Sequence, residues 1–219
     1  MATNTLTQNI NQAINDFKGV RQALMDKGVE IPSGTPTSQY GAKIGEISGG
    51  GEQPTKGYQV TEWDSNGYPL KVKLYGMTEM PAYYFSCILD GGGFKKLYAI
   101  DDWSNITIIR KYAFYNCESL ALTSLPEGIK SISYYAFAYC PRLALTSLPD
   151  GLTTINNYAF RYCVGLTTLT IGSAIKSIAT DAFDDCTNLK TIIINRAEGT
   201  VSGAPWGATN ATVQWVGTN

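Results

Sequence analysis

The side chains of this 219-residue chain that could do chemistry are five cysteines, two adjacent pairs of carboxylates, a run of three glycines and fourteen tyrosines; histidine is absent. Its absence removes the usual base of neutral pH and the commonest metal ligand, and with them histidine-dependent triads and most zinc sites. Cys117, Cys140, Cys163 and Cys186 stand 23 residues apart. That spacing places one thiol per repeat along a stack and does not gather them into a tetrahedral set, so they read as small buried structural thiols, reduced in a cytoplasm. Asp101/Asp102 and Asp184/Asp185 are neighbours in sequence. Adjacent acids seldom converge as the opposed pair that glycoside hydrolysis needs, and solvated turns account for them. Gly91 to Gly93 has no following Lys-Ser/Thr, so it reads as a loop insertion and not as a phosphate cradle. The expectation is no enzyme: no catalytic, metal or cofactor-binding residues, and no cofactor.

The tyrosines carry more. Tyr112, Tyr135 and Tyr158 recur at the 23-residue period just before an Ala-Phe pair, and Tyr139 and Tyr162 recur just before the cysteine. Asp181 and Asp185 replace them in the last period. Because an unpaired buried carboxylate is costly, both rows are expected to be at least partly exposed, and these five tyrosines form the candidate ligand-binding set.

What positions them is the repeat itself. A shift of 23 aligns Phe114/Phe137/Phe160/Phe183, Ala113/Ala136/Ala159/Ala182, Leu120/Leu143/Leu166/Leu189, Leu125/Leu148/Ile171/Ile194, Ile106/Ile129/Leu152/Ile175 and Ile109/Ile132/Ile155/Ile178. Met77, Met80 and Phe85 repeat the spacing of Ile106, Ile109 and Phe114 in an earlier, degenerate unit whose Cys87 comes one residue early. One unit cannot bury both of its apolar faces, so the units must stack as a solenoid. The string Ile132-Ser-Tyr-Tyr-Ala-Phe-Ala-Tyr-Cys-Pro-Arg-Leu143 resembles the leucine-rich repeats of the bacterial surface-antigen (BspA-like) class, over about residues 77–197. The resemblance implies a right-handed solenoid with a short strand per turn and a binding role. Residues 203–216 look like the closing segment of such proteins, with Trp206 and Trp215 lidding the last turn.

The first half reads as an attachment module. Leu6, Ile10, Ala13, Phe17, Val20 and Leu24 follow the a/d spacing of a coiled-coil seam. It serves either as an amphipathic helix packed on its own chain or as a seam for homo-oligomers. Thr35-Pro36 caps a second helix through about Ile47, and a Gly-rich linker follows. Tyr58 to Trp63 and Leu70 to Tyr75 alternate in period 2 around Asp64-Ser-Asn-Gly-Tyr-Pro69, which predicts a hairpin capping the first coil. The expected fold class is therefore α+β. The expected domains are a helical anchor or oligomerisation segment (1–48), a linker (49–57), a hairpin cap (58–76), a leucine-rich-repeat solenoid (77–197) and a C-terminal cap (198–219).

The helical leader, the linker and the Glu62-Trp-Asp-Ser-Asn-Gly-Tyr-Pro69 hairpin resemble structural proteins of bacteriophages of gut bacteria, over about residues 1–76. That resemblance implies a fibre-type virion protein, made in the host cytoplasm without a signal peptide. It would bind other virion proteins through residues 1–48 and a host-surface glycan or protein through the solenoid. The alternative is a bacterial cell-surface or secreted leucine-rich-repeat adhesin. The near-neutral balance of 17 basic and 18 acidic residues and the lack of a long apolar run predict no nucleic-acid partner and no membrane span.

Overall fold

An outward residue followed by a core isoleucine, or by methionine in the first unit, makes the repeating strand, and each is only two residues long because the chain must turn at both ends of it. The computed structural model describes residues 57–65, 68–87 and 94–217. Its strands are β1 (Gly57–Trp63), β2 (Pro69–Tyr75), β3 (Glu79–Met80), β4 (Ala99–Asp101), β5 (Ile108–Ile109), β6 (Ser131–Ile132), β7 (Thr154–Ile155), β8 (Thr168–Ile171), β9 (Ser177–Ile178), β10 (Thr191–Ile194) and β11 (Thr212–Trp215). Five of them form one parallel sheet in the order β3-β5-β6-β7-β9. Its register sets Met80, Ile109, Ile132, Ile155 and Ile178 side by side. A second parallel sheet, β11-β10-β8, adds another strand to each of the last coils, beyond the one strand per coil expected.

The expected α+β class is corrected. There is no helix among the described residues, and the architecture there is an all-β solenoid. The two helices lay in residues 1–48, outside the described residues, as do the seam positions Leu6, Ile10, Ala13, Phe17, Val20 and Leu24 and residues 49–56 of the linker.

Between the two sheets runs one continuous core. Each aligned leucine, isoleucine, alanine and phenylalanine row is buried from end to end, and Met77, Met80 and Phe85 extend it into the earlier coil. The phenylalanines form a column: Phe85 to Phe114 at 5.7 Å, Phe114 to Phe137 at 5.0 Å, Phe137 to Phe160 at 5.5 Å and Phe160 to Phe183 at 5.4 Å between ring centres. Burying each such ring contributes about 2–3 kcal/mol. The neighbouring position is alanine because its carbonyl is used between coils. Phe114 N–H donates to Ala136 O at 2.8 Å, Phe137 to Ala159 at 2.8 Å and Phe160 to Ala182 at 2.9 Å, a spacing a larger side chain would pry open.

The column is closed at both ends. β1 pairs antiparallel with β2, with a register shift between Val60 and Glu62, and β2 pairs parallel with β4. This hairpin lays Tyr58 edge-on against Phe85 at 5.2 Å and Phe94 at 5.9 Å. At the other end Trp206 is fully buried, donates its indole N–H to Ser202 O at 2.7 Å and meets Trp215 at 6.1 Å.

Candidate recognition surface

Three coils turn through a pair of residues in the left-handed region, four apart and bracketing the Ala-Phe pair, and the coils on either side keep one member of the pair each, Tyr83 and Asp185. The first set is Tyr83, Tyr112, Tyr135 and Tyr158, with φ of 61°, 58°, 53° and 56°. The second is Asn116, Tyr139, Tyr162 and Asp185, with φ of 61°, 61°, 57° and 58°. A bulky side chain costs about 1–2 kcal/mol in that conformation, whereas Asn and Asp enter it more readily. The local geometry therefore accounts for Asp185, which replaces a tyrosine because the turn favours it. Asp185 is itself exposed.

The first row is packed. Tyr112 is 1% and Tyr135 9% exposed, against the expectation of partial exposure, while Tyr158 is half-buried. Tyr83, Tyr112 and Tyr135 stack at 5.0 and 5.1 Å with planes 7° and 6° apart, and Tyr158 continues the stack at 4.8 Å and 26°. Its two ends are covered by cations, Lys111 over Tyr83 at 5.6 Å and Arg161 over Tyr158 at 5.3 Å. No ring face in this row is open to a sugar. Its hydroxyls are desolvated: burial raises the Tyr112 phenol and pushes Tyr135 up to about 12. The Tyr112 hydroxyl is buried without a hydrogen-bond partner. Asp181 is satisfied, not free: its carboxylate accepts from Asn157 Nδ2 at 2.9 Å and from the Tyr158 hydroxyl, which raises the tyrosine pKa.

The second row is the exposed one. Tyr139 is half-buried and stacks on Tyr162 at 5.6 Å, and Tyr162 is 47% exposed. Beside them lies Tyr115, which meets Tyr139 edge-on at 5.3 Å, while Tyr134, 37% exposed, packs against the first row. Tyr83 and Tyr134 on the first row, and Tyr115 between the two rows, extend the tyrosine surface beyond the five residues the sequence singles out. Tyr83 was detectable, because it precedes Phe85 by the two residues that separate Tyr112 from Phe114. Arg161 ties the cluster to the acidic end of the solenoid, 3.4 Å from Asp184 and 3.0 Å from Asp185. Burial works against its charge, yet the Asp185 hydrogen bond and the carboxylates beside it raise its pKa.

The other chemical side chains are structural. Cys117 Sγ donates to Phe85 O at 3.1 Å, Cys140 to Phe114 O at 3.0 Å, Cys163 to Phe137 O at 3.1 Å and Cys186 to Phe160 O at 3.0 Å. Each thiol thus satisfies the carbonyl of the phenylalanine one coil earlier. Cys87, with no earlier phenylalanine to reach, turns to Phe85 O of its own coil at 3.8 Å. All five cysteines are free and buried. Burial raises the Cys117 and Cys163 thiols and pushes Cys186 up to about 12. The paired carboxylates sit in ion pairs, Asp101 with Lys71 and Asp102 with Lys73, both at 2.9 Å.

Stacked parallel coils of 23 residues, each with an Ile/Leu framework and a buried Phe-Cys turn, define a leucine-rich-repeat solenoid. Residues 95–203 match the BspA type leucine rich repeat region in six copies, so this part of the chain is a leucine-rich-repeat region of that type. Two solved structures are similar. A leucine-rich repeat protein from Bacteroides ovatus ATCC 8483 has 24% identity and a TM-score of 0.47, over 57% of this chain and 33% of its own. The T. pallidum leucine rich repeat protein has 25% identity and a TM-score of 0.44, over 74% of this chain and 71% of its own. This chain thus spans about a third of the length of the Bacteroides ovatus protein. No curated protein matches it.

Proposed function

We propose that the chain is a non-catalytic recognition protein, a bacterial cell-surface or secreted adhesin whose leucine-rich-repeat solenoid presents the second tyrosine row to a surface ligand. The observation that carries this reading is the cost of that row. Tyr139 and Tyr162 hold left-handed turns that Asn116 and Asp185 occupy at the equivalent places, and Tyr162 recovers little of that cost through burial because 47% of it is exposed. Strain kept at an exposed aromatic points to selection for the side chain itself. Tyrosine and arginine are also the residues that most often dominate binding energy, and Arg161 stands beside Tyr158. The virion reading has no comparable support: its docking segment, residues 1–48, lies outside the described residues.

The test is the pair Tyr139→Asn and Tyr162→Asn, which keeps a residue suited to the turn. Labelled protein is titrated onto a panel of animal and bacterial cells. Binding to at least one surface should be reduced tenfold or more in the double variant while its thermal midpoint is kept. Binding to none of them, or undiminished binding by a folded variant, would overturn the assignment.

A further inference from the structure

One row at the corner of the five-stranded sheet has a charge period of its own. Thr107 N–H donates to Thr78 O at 2.8 Å, Lys130 to Thr107 O at 2.7 Å, Thr153 to Lys130 O at 2.9 Å and Lys176 to Thr153 O at 2.8 Å. These residues therefore follow one another coil by coil, separated by the strand spacing of ~4.8 Å. The order Thr, Lys, Thr, Lys sets the two ammonium-bearing positions about 10 Å apart along the axis. The threonine hydroxyls turn along the stack: Thr107 Oγ1 donates to Thr78 O at 3.0 Å and Thr153 Oγ1 to Lys130 O at 2.9 Å. Lys130 and Lys176 are exposed, and neither has an ion pair among the described residues. The Lys130 ammonium lies over Gly151, where any Cβ would collide with it.

The sheet face next to that row is small and polar. From the Lys130 coil onward its outward positions are Ser131, Thr154 and Ser177 in register, then Ser133 and Asn156, and Ile108 holds the same place one coil earlier. The one carboxylate on these strands, Glu79, is held by Arg110 at 2.7 Å. The far border is Tyr134. Unlike the stacked tyrosines it meets Tyr112, Tyr135 and Tyr158 only at steep angles, 70°, 76° and 81°, so its exposed ring is not covered by a parallel neighbour.

We propose that this face, between the Lys130/Lys176 row and Tyr134, binds a linear polysaccharide carrying one carboxylate per disaccharide, laid along the solenoid axis. The proposal rests on the recognition reading above and adds to it a second binding face, distinct from the Tyr139/Tyr162 row. An extended pyranose unit is about as long as one coil is thick, so two sugars match two coils and each carboxylate falls on a lysine. Serine, threonine and asparagine side chains between the borders suit sugar hydroxyls, and Tyr134 offers a ring to the apolar face of one sugar. An extended acidic peptide fits less well, since its side chains recur on one face every ~6.8 Å. Duplex phosphates, ~3.4 Å apart along each strand, fit less well again.

The test uses the full chain and four immobilised polymers at low and high salt: hyaluronan, with a uronate on alternate sugars; polygalacturonate, with one on every sugar; neutral dextran; and poly-L-glutamate. Hyaluronan should bind best, and salt should weaken it. Lys130→Ala with Lys176→Ala should weaken binding about tenfold, as expected for two exposed ion pairs. Lys130→Arg with Lys176→Arg should retain it, and Lys190→Ala, on the other sheet, should leave it unchanged. Thermal melts establish that each variant is folded. No binding to hyaluronan, binding indifferent to Lys130 and Lys176, or equal or tighter binding to polygalacturonate or poly-L-glutamate would overturn the proposal. Cell binding that still depends on Tyr139 and Tyr162 after such a result would leave the recognition reading standing, so the two failures are distinct.

Discussion

Replacing Phe137 by alanine removes a ring from the middle of the column and measures how rigid that column is. Phe137 is fully buried, with Phe114 at 5.0 Å and 8° on one face and Phe160 at 5.5 Å and 7° on the other. The loss has two parts: the transfer of the ring out of water, and the void left where it stood. The void cannot easily collapse along the axis, because both neighbours are fixed by backbone bonds between coils, Phe114 to Ala136 at 2.8 Å and Phe160 to Ala182 at 2.9 Å. The cost should therefore lie in the upper part of the usual range, about 4–5 kcal/mol. That is a large share of the ~5–15 kcal/mol that holds a domain together. Urea unfolding followed by far-ultraviolet circular dichroism gives the number from the midpoint and slope. Phe137→Leu, which refills most of the space, should cost markedly less. The double variant with Phe160→Ala should show a coupling of about 0.5–1.5 kcal/mol, whereas Phe114→Ala with Phe183→Ala, which share no contact, should be additive. A loss below about 1 kcal/mol for Phe137→Ala, or strong coupling between Phe114 and Phe183, would refute the picture of a stack whose rings act on nearest neighbours.

The remaining predictions concern thiols, a close approach and the cap. Because burial raises the folded-state pKa of Cys117, Cys163 and Cys186, their contribution should be fully present below the ordinary thiol value of ~8.5 and lost as pH climbs towards about 12, the Cys186 value. Tyr135, also pushed up to about 12, steepens the loss above ~10. Melts from pH 7 to 11 should thus be flat and then fall, and a maleimide should count five free thiols only after unfolding; a stability that rises over that window would contradict the burial. Gly165→Ala sets a Cβ 2.6 Å from Leu143 O and 2.8 Å from Pro141 O, so it should cost about 1–3 kcal/mol in the same urea assay. Trp206→Ala opens the last coil and should cost about 3–5 kcal/mol, with hydrogen exchange rising first in β10 and β11.

The solenoid was legible because its signal is redundant. Six aligned rows repeat at one period, and each row is buried in every coil, so a single degenerate unit such as Met77-Met80-Phe85 could be placed by spacing alone. The thiol-to-carbonyl bonds were not legible. The distance from Cys140 to Phe114 spans 26 residues, one period plus the Phe-to-Cys step, and only the geometry of the turn aims that thiol at the preceding coil.

The first tyrosine row departs from the expected exposure for a related reason, and the difference bears on function. Aspartate at a repeat position implies exposure only where the alternative is an unpaired charge in the core. At Asp185 the turn imposes a separate condition, a left-handed backbone, under which Asp and Asn are the easy residues and tyrosine the costly one, whereas Asp181 is not left-handed and is satisfied by Asn157. With that condition in place the two rows separate. In the first, stacking within 5.1 Å and near-complete burial of Tyr112 and Tyr135 offset the backbone cost, so tyrosine there is explained by packing. In the second, Asn116 and Asp185 occupy the turn at either end, while Tyr139 and Tyr162 hold it between them with one partner each in the parallel stack and Tyr162 largely in solvent. Packing does not account for Tyr162. What distinguishes a recognition residue in this solenoid is therefore not that it is aromatic or that it repeats, but that its backbone cost is left unrecovered by burial.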